Sequence, residues 1–111
     1  MGSARCDFPG GSAPVLFHSV RDRLLALPDH FRIYTGHDYP PGTAADAPRD
    51  APLAYMTVAE QRASNKHLRD GVREDEFVAW RRERDASLKE PRLIEWALKV
   101  NIRAGRVPES F

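Results

Sequence analysis

Two short turns carry the residues with chemical potential. In F-R-I-Y-T-G-H-D-Y (Phe31–Tyr39) apolar and polar residues alternate at Phe31, Arg32, Ile33 and Tyr34, and Gly36 then delivers a histidine. That pattern predicts a short strand ending in a turn, with His37 at its C-terminal tip. Ligands carried by α/β sheets gather at such tips. The second stretch, R-C-D-F-P-G-G (Arg5–Gly11), places a carboxylate, Asp7, just before a Gly-rich turn. One imidazole and one carboxylate on two turns are half of a metal site. Three protein ligands are the minimum for the usual catalytic zinc or iron(II) site. From the residues alone, His37 reads better as a turn histidine bonded to a backbone carbonyl than as a ligand, and Asp7 is likewise readable as a turn-capping aspartate.

The elements that must position these turns are mostly helical. Ser12 can cap a helix over Ala13–Leu27, with Pro14 tolerated in its first turn. Leu16, Val20, Leu24 and Leu27 form one apolar stripe, and Arg21, Asp22 and Arg23 face elsewhere. Pro28 and Asp29 end this helix, and a strand over Arg32–Thr35 follows. A helix and a strand joined by about three residues form a crossover unit of a larger sheet. No other strand is predicted. A lone strand cannot satisfy its own backbone donors and acceptors, so its partners are expected upstream or in another chain.

Pro40–Tyr55, with Pro40, Pro41, Pro48 and Pro52, is predicted to be a loop of about sixteen residues. Thr57 opens a capping box, T-V-A-E, for a helix over Val58–Asn65. A turn holds Gly71. A charged helix follows over Glu74–Lys89, with Phe77, Trp80 and Leu88 as its apolar contacts. Its run Arg81, Arg82, Glu83, Arg84, Asp85 alternates in sign and is read as a solvated face with i,i+4 pairs. A last helix over Arg92–Lys99 would bury Leu93, Ile94, Ala97 and Leu98. Gly105 and Pro108 end structure. No internal repeat is visible.

In order and spacing, A-R-C-D-F-P-G-G, the helix A-P-V-L-F-H-S-V-R-D-R-L-L-A-L-P, I-Y-T-G-H-D-Y, M-T-V-A-E-Q-R-A-S-N and P-R-L-I-E-W-A-L-K-V-N-I-R-A-G resemble the C-terminal half of metallo-β-lactamase-fold hydrolases. The closest branch is the glyoxalase II and persulfide dioxygenase group. The resemblance runs from about Arg5 to Val107. It implies an α/β chain, a single domain over residues 1–111 carrying part of that fold, with mostly helices and few strands. It also implies that Asp7 is a metal-binding aspartate and His37 the last histidine ligand. The family's H-x-H-x-D-H signature occurs nowhere in this sequence. Its other histidine ligand falls upstream of Met1, and M-G-S-A takes the place of the Gly-rich lead-in. The chain is therefore expected to be the C-terminal portion of such an enzyme, partnered by the missing N-terminal half or another chain.

The full-length relative would hold zinc or iron(II) and act on a glutathione-linked sulfur substrate as a persulfide dioxygenase. The alternatives are thioester hydrolysis of the hydroxyacylglutathione hydrolase type, or a non-catalytic remnant or interaction domain. This chain alone is expected to bind no metal tightly. The turn departs from the family's commoner R-T-D-F by having Cys6, and the Pro40–Tyr55 loop is longer than in compact dioxygenases. Asp38 is expected either to accept hydrogen bonds from loop amides or to be an ordinary turn residue, and Tyr39 to line the pocket. Asn101 and Arg103 resemble the persulfide dioxygenase branch and are expected to anchor the C-terminal segment. His18, His30 and His67 receive no metal role.

Composition supports a single folded domain. The chain has 111 residues, 41% hydrophobic and 30% charged, which describes an ordinary globular protein. A domain of this size buries roughly 65% of its unfolded surface. A net charge of +1 gives no electrostatic case for nucleic acid or membrane binding. No apolar run reaches membrane-spanning length and no signal-like segment follows Met1, so a cytoplasmic location is the default expectation. Cys6 is the single cysteine, which excludes a disulfide framework.

Overall fold

The computed structural model describes residues 1–39 and 51–110. The predicted loop from Pro40 lies outside the described residues until Ala51. In chain order the elements are α1 (Ala13–His18), continued by a wider turn over Ser19–Leu24, then β1 (Arg32–Tyr34), β2 (Tyr55–Thr57), α2 (Val58–Ser64), α3 (Glu74–Ala86) and α4 (Ile94–Asn101). Among the described residues no helix is long and apolar enough to cross a membrane.

The caps form where the residue types dictate. Ser12 is extended and its side chain accepts from the Val15 amide, with Pro14 in the first turn. Thr57 and Glu60 complete the capping box in both directions: the Thr57 side chain takes the Glu60 amide and the Glu60 carboxylate takes the Thr57 amide. Gly71 turns the chain in the left-handed region, φ +90°.

The first helix departs from the predicted stripe. From Ser19 it adopts i→i+5 bonding, as in the 2.8 Å bond from the Leu25 amide to the Val20 carbonyl. This wider turn delays the return to the buried face by about one residue. Ala13, Phe17 and Leu25 are therefore buried, Leu16 and Val20 are half-buried, and Leu24 and Leu27 are exposed. Arg21 does not face away. Its guanidinium donates to the Leu68 carbonyl at 3.0 Å and meets Asp70 at 3.1 Å.

The strand is not alone. β1 pairs antiparallel with β2, Arg32 opposite Thr57, Ile33 opposite Met56 and Tyr34 opposite Tyr55. The expectation that every partner lies outside this chain is corrected. β2 has only three residues and runs directly into the α2 cap, so its pattern is too short to show. The segment around β1 also satisfies the first amides of α2: the Phe31 carbonyl accepts from the Val58 amide (2.9 Å) and the Asp29 carbonyl from the Ala59 amide (3.1 Å).

α1 packs on α3. Phe17 and Phe77 meet with ring centroids 5.7 Å apart, and Ala13 and Leu68 close the cluster. α3 ends at Ala86 rather than Lys89. It buries Phe77, Arg81 and Asp85, a period-four stripe. The alternating charge run is thus not a uniformly solvated face. Arg81 and Asp85 pair with each other in the interior. α4 reverses the prediction in the other direction. It has no buried residue, Ile94 and Ala97 are half-buried, and Leu93, Trp96, Leu98 and Ile102 are exposed.

These burials separate two leucine- or phenylalanine-sized sites that the sequence pattern treats alike. Phe77→Ala should cost about 3–5 kcal/mol, the usual cost of truncating a buried aromatic. Leu98→Ala, on an exposed face, should stay within about 0.5 kcal/mol. Urea unfolding followed by circular dichroism checks both, and equal costs would contradict the packing described.

Candidate metal centre

The Asp7 turn is built by glycines for two reasons. Gly10 sits at φ +80°. A Cβ on Gly11 would lie 2.4 Å from the Cys6 carbonyl oxygen, so only glycine lets the chain fold back there. The Gly11 amide donates to the Phe8 carbonyl at 2.8 Å, and Ser12 then begins α1. P-G-G-S is therefore a turn followed by a helix cap, as its residue types require.

The segment leading into this turn is held from both sides. The Cys6 amide donates to Asp85 Oδ2 at 2.7 Å, and the Arg81 guanidinium donates to the Ser3 carbonyl at 3.3 Å. Asn65, buried at the end of α2, donates to the Gly2 carbonyl at 3.0 Å and accepts from the His67 and Leu68 amides. Gln61, also buried, accepts from the Asn65 amide group at 2.7 Å. None of these buried polar residues is visible to pattern reading, because periodicity ranks apolar positions.

Asp7 itself is exposed, and its carboxylate accepts from the Arg5 guanidinium, Nε to Oδ1 at 2.6 Å. That bond holds the carboxyl below its ordinary range. Arg5 also lies 4.7 Å from the centre of the Phe8 ring and donates to the Lys89 carbonyl. An open cleft of about 610 Å³ borders the turn, lined by Cys6, Asp7, Ser12, Arg82, Asp85 and Leu88. Burial pushes the Cys6 thiol up, away from a reactive thiolate.

His37 follows β1, as predicted, and is exposed, its ring stacked on Tyr39 with centroids 5.9 Å apart. Tyr39 is 80% exposed. Asp38 accepts from the Leu53 amide at 2.9 Å, so the loop-amide reading of this residue holds. The contacts of the two predicted ligands are separate: Asp7 with Arg5, His37 with Tyr39. Their donor types suit zinc or iron(II). Among the described residues, however, no group of three or more His, Cys, Asp or Glu side chains could hold a metal ion. The described residues by themselves do not make a complete site.

His18 and His67 are engaged by neighbouring side chains. His18 bonds Asp22 at 2.9 Å and Glu74 at 3.1 Å; the Asp22 bond chiefly raises its pKa. His67 lies against Trp80 with ring centroids 3.6 Å apart and shares a 3.0 Å hydrogen bond with the Ser3 hydroxyl. Desolvation, with Arg81 nearby, lowers its pKa to about 4. Among the described residues, Arg103 makes a local side-chain bond that does not tie the C-terminal segment to the domain. Its guanidinium donates to the Lys99 carbonyl of its own helix end at 2.8 Å.

No family model matches the chain. It is 47% identical over 108 residues to glyoxylase B2 of Dictyostelium discoideum, covering 97% of this chain and 35% of that protein. It is 53% identical over 108 residues to a β-lactamase hydrolase-like protein of Agrobacterium fabrum, covering 97% of this chain and 23% of the relative. It is 33% identical over 104 residues to the mitochondrial persulfide dioxygenase ETHE1 of Bos taurus, covering 94% and 35% respectively. The crystal structure of ETHE1 from Myxococcus xanthus superimposes with a TM-score of 0.75 at 28% identity, over 95% of this chain and 40% of that one. The chain thus spans about a quarter to a third of the length of these curated relatives.

The His67 environment has a pH consequence. Its folded pKa of about 4 lies below the free value of 6.5, so the unfolded chain takes up the proton first as pH falls. The contribution is complete above about pH 6.5 and is lost as pH falls to about 4. Discounted for solvent screening of a half-buried ring, it amounts to about 1 kcal/mol. Urea midpoints for the wild type should fall across that window, and His67→Phe, which keeps a ring on Trp80, should flatten the fall. An unchanged slope in His67→Phe would contradict it.

Proposed function

We propose that this chain, a partial metallo-β-lactamase-fold protein of the glyoxalase II- and ETHE1-like kind, supplies two ligand-bearing turns to a metal centre that other residues complete. Asp7 and His37 are the two donors. The complete protein acts on a glutathione-linked persulfide as a dioxygenase, and this chain is its C-terminal portion. The observation that carries the reading is the superposition on ETHE1 over 95% of the chain, coupled with an Asp7 turn that its own glycines and α3 fix in place.

A second reading within the same fold is hydrolysis of a glutathione thioester. It is favoured by the higher identity to glyoxylase B2, 47% against 33% for the bovine persulfide dioxygenase. In either case the site needs donors beyond the described residues, since Asp7 and His37 alone fall short of three ligands.

The test is a chimera in which residues 5–107 replace the matching segment of Myxococcus ETHE1, assayed for oxygen uptake with glutathione persulfide and for thioester hydrolysis. Persulfide oxidation that falls about a hundredfold or more with Asp7→Ala or His37→Ala is the expected result. Thioester turnover with the same dependence would favour the second reading. A folded chimera with neither activity would overturn both. The 111-residue chain alone should show no tight one-to-one endpoint on zinc titration, and tight binding abolished by His37→Ala would show that it forms a site by itself.

A further inference from the structure

Arg81 and Asp85 stand out because the fold buries both charges, at 4% and 5% exposure, on a helix whose other charges face solvent. Burying a charge is costly unless it is paired and its remaining hydrogen-bonding capacity is used. Here the capacity that is used is turned toward one segment, and Arg81 Nε is left buried without a partner. Asp85 Oδ1 takes Arg81, and Asp85 Oδ2 takes the Cys6 amide at 2.7 Å. Arg81 donates to the Ser3 carbonyl at 3.3 Å and lies 4.7 Å from the centre of the Trp80 ring. Cys6 immediately precedes Asp7. A helix packed only for stability has no need of this arrangement, since apolar side chains of similar size fill such space as well or better.

We infer that Arg81 and Asp85 are positioning residues for the Asp7 turn: Asp85 fixes the backbone one residue before Asp7, and Arg81 fixes Asp85 and the Ser3 carbonyl. The functional consequence rests on the reading of Asp7 as a metal ligand, but the positioning itself does not. Asp7 is exposed and its carboxylate is bonded to a side chain only two residues away, Arg5, so the backbone of both must be fixed by contacts from elsewhere in the fold if the carboxylate is to keep one place.

The experiment uses the full chain and measures amide hydrogen exchange residue by residue, together with the alkylation rate of the Cys6 thiol. The variants are Asp85→Asn and the double substitution Arg81→Met with Asp85→Leu. The double variant should lower the urea midpoint only modestly, because it buries no unpaired charge but leaves the Cys6 amide and the Ser3 carbonyl without their partners. It should nevertheless raise exchange at the Cys6 amide about tenfold or more, and speed Cys6 alkylation, because the charged acceptor is gone. Asp85→Asn retains an acceptor oxygen and should restore much of the Cys6 protection. Cys6 exchange unchanged in the double variant, or rising only in step with every core amide, would overturn the proposal. If the double variant does not fold, equal Cys6 protection in Asp85→Ala and Asp85→Asn would overturn it instead. Asp7→Asn serves as the separate control: metal uptake by the chimera that ignores Asp7→Asn would sink the ligand reading while leaving the Cys6 result standing.

Discussion

A buried charge pair organises this molecule. Arg81 and Asp85, one turn apart on α3, are both removed from water. Each must therefore spend its remaining donors and acceptors inside the protein. Asp85 Oδ2 and one Arg81 terminal nitrogen turn to the backbone of residues 3–6, while Arg81 Nε is buried without a hydrogen-bond partner. Asn65 adds the Gly2 carbonyl from the other side, and the Lys66 amide donates to the Met1 carbonyl. The opening segment thus lies between the end of α2 and the buried face of α3, where its polar groups are met by side chains rather than by a sheet. From Cys6 the chain passes directly into the Asp7 turn, where Gly10 and Gly11 fold it back to α1.

The apolar core explains why α3 can serve as that platform. Phe77 lies one turn before Arg81 on the same stripe and meets Phe17, so α1 and α3 are locked together at the point where the Asp7 turn joins them. The second turn is placed differently. His37 extends from a two-stranded ribbon whose other strand runs straight into the α2 cap, and Asp38 binds the far side of the loop at Leu53. The two candidate ligands therefore depend on two structural units, one centred on α3 and one on the ribbon and α2. α4 adds little to either. Its exposed Leu93, Trp96 and Leu98 contrast with the packed stripe of α3.

What was legible in the sequence is local. Ser12, Thr57 and Glu60 bond their own backbone within three residues, so their roles show in the order of residues. The strand before His37 shows because alternation needs only four positions. What was hidden depends on distant partners. Tyr55–Thr57 is a strand because β1 lies beside it, not because of its pattern. Arg81 and Asp85 look like neighbours in a solvated run, and only the arrival of Ser3 and Cys6 from some 79 positions away makes their burial tolerable. The shift from Leu24 to Leu25 follows from a wider helical turn that no stripe count anticipates. The leucines of α4 carry a core-like pattern that this chain does not bury. The candidate ligands follow from the family resemblance, and the turns that carry them have the form their residue types predict. The pairing of Arg5 with Asp7 has no signature in residue order, because it depends on how the turn folds the two side chains together.

The central claim is that Asp7 and His37 address one metal ion. Paramagnetic broadening tests it most directly, because it responds to weak and transient binding. Substoichiometric manganese(II) added to the ¹⁵N-labelled chain should broaden the amides around Cys6–Phe8 and those around Gly36–Asp38 together. Asp7→Asn should relieve both. Broadening confined to one of the two turns, or centred on the acidic start of α3 at Glu74–Glu76, would contradict it.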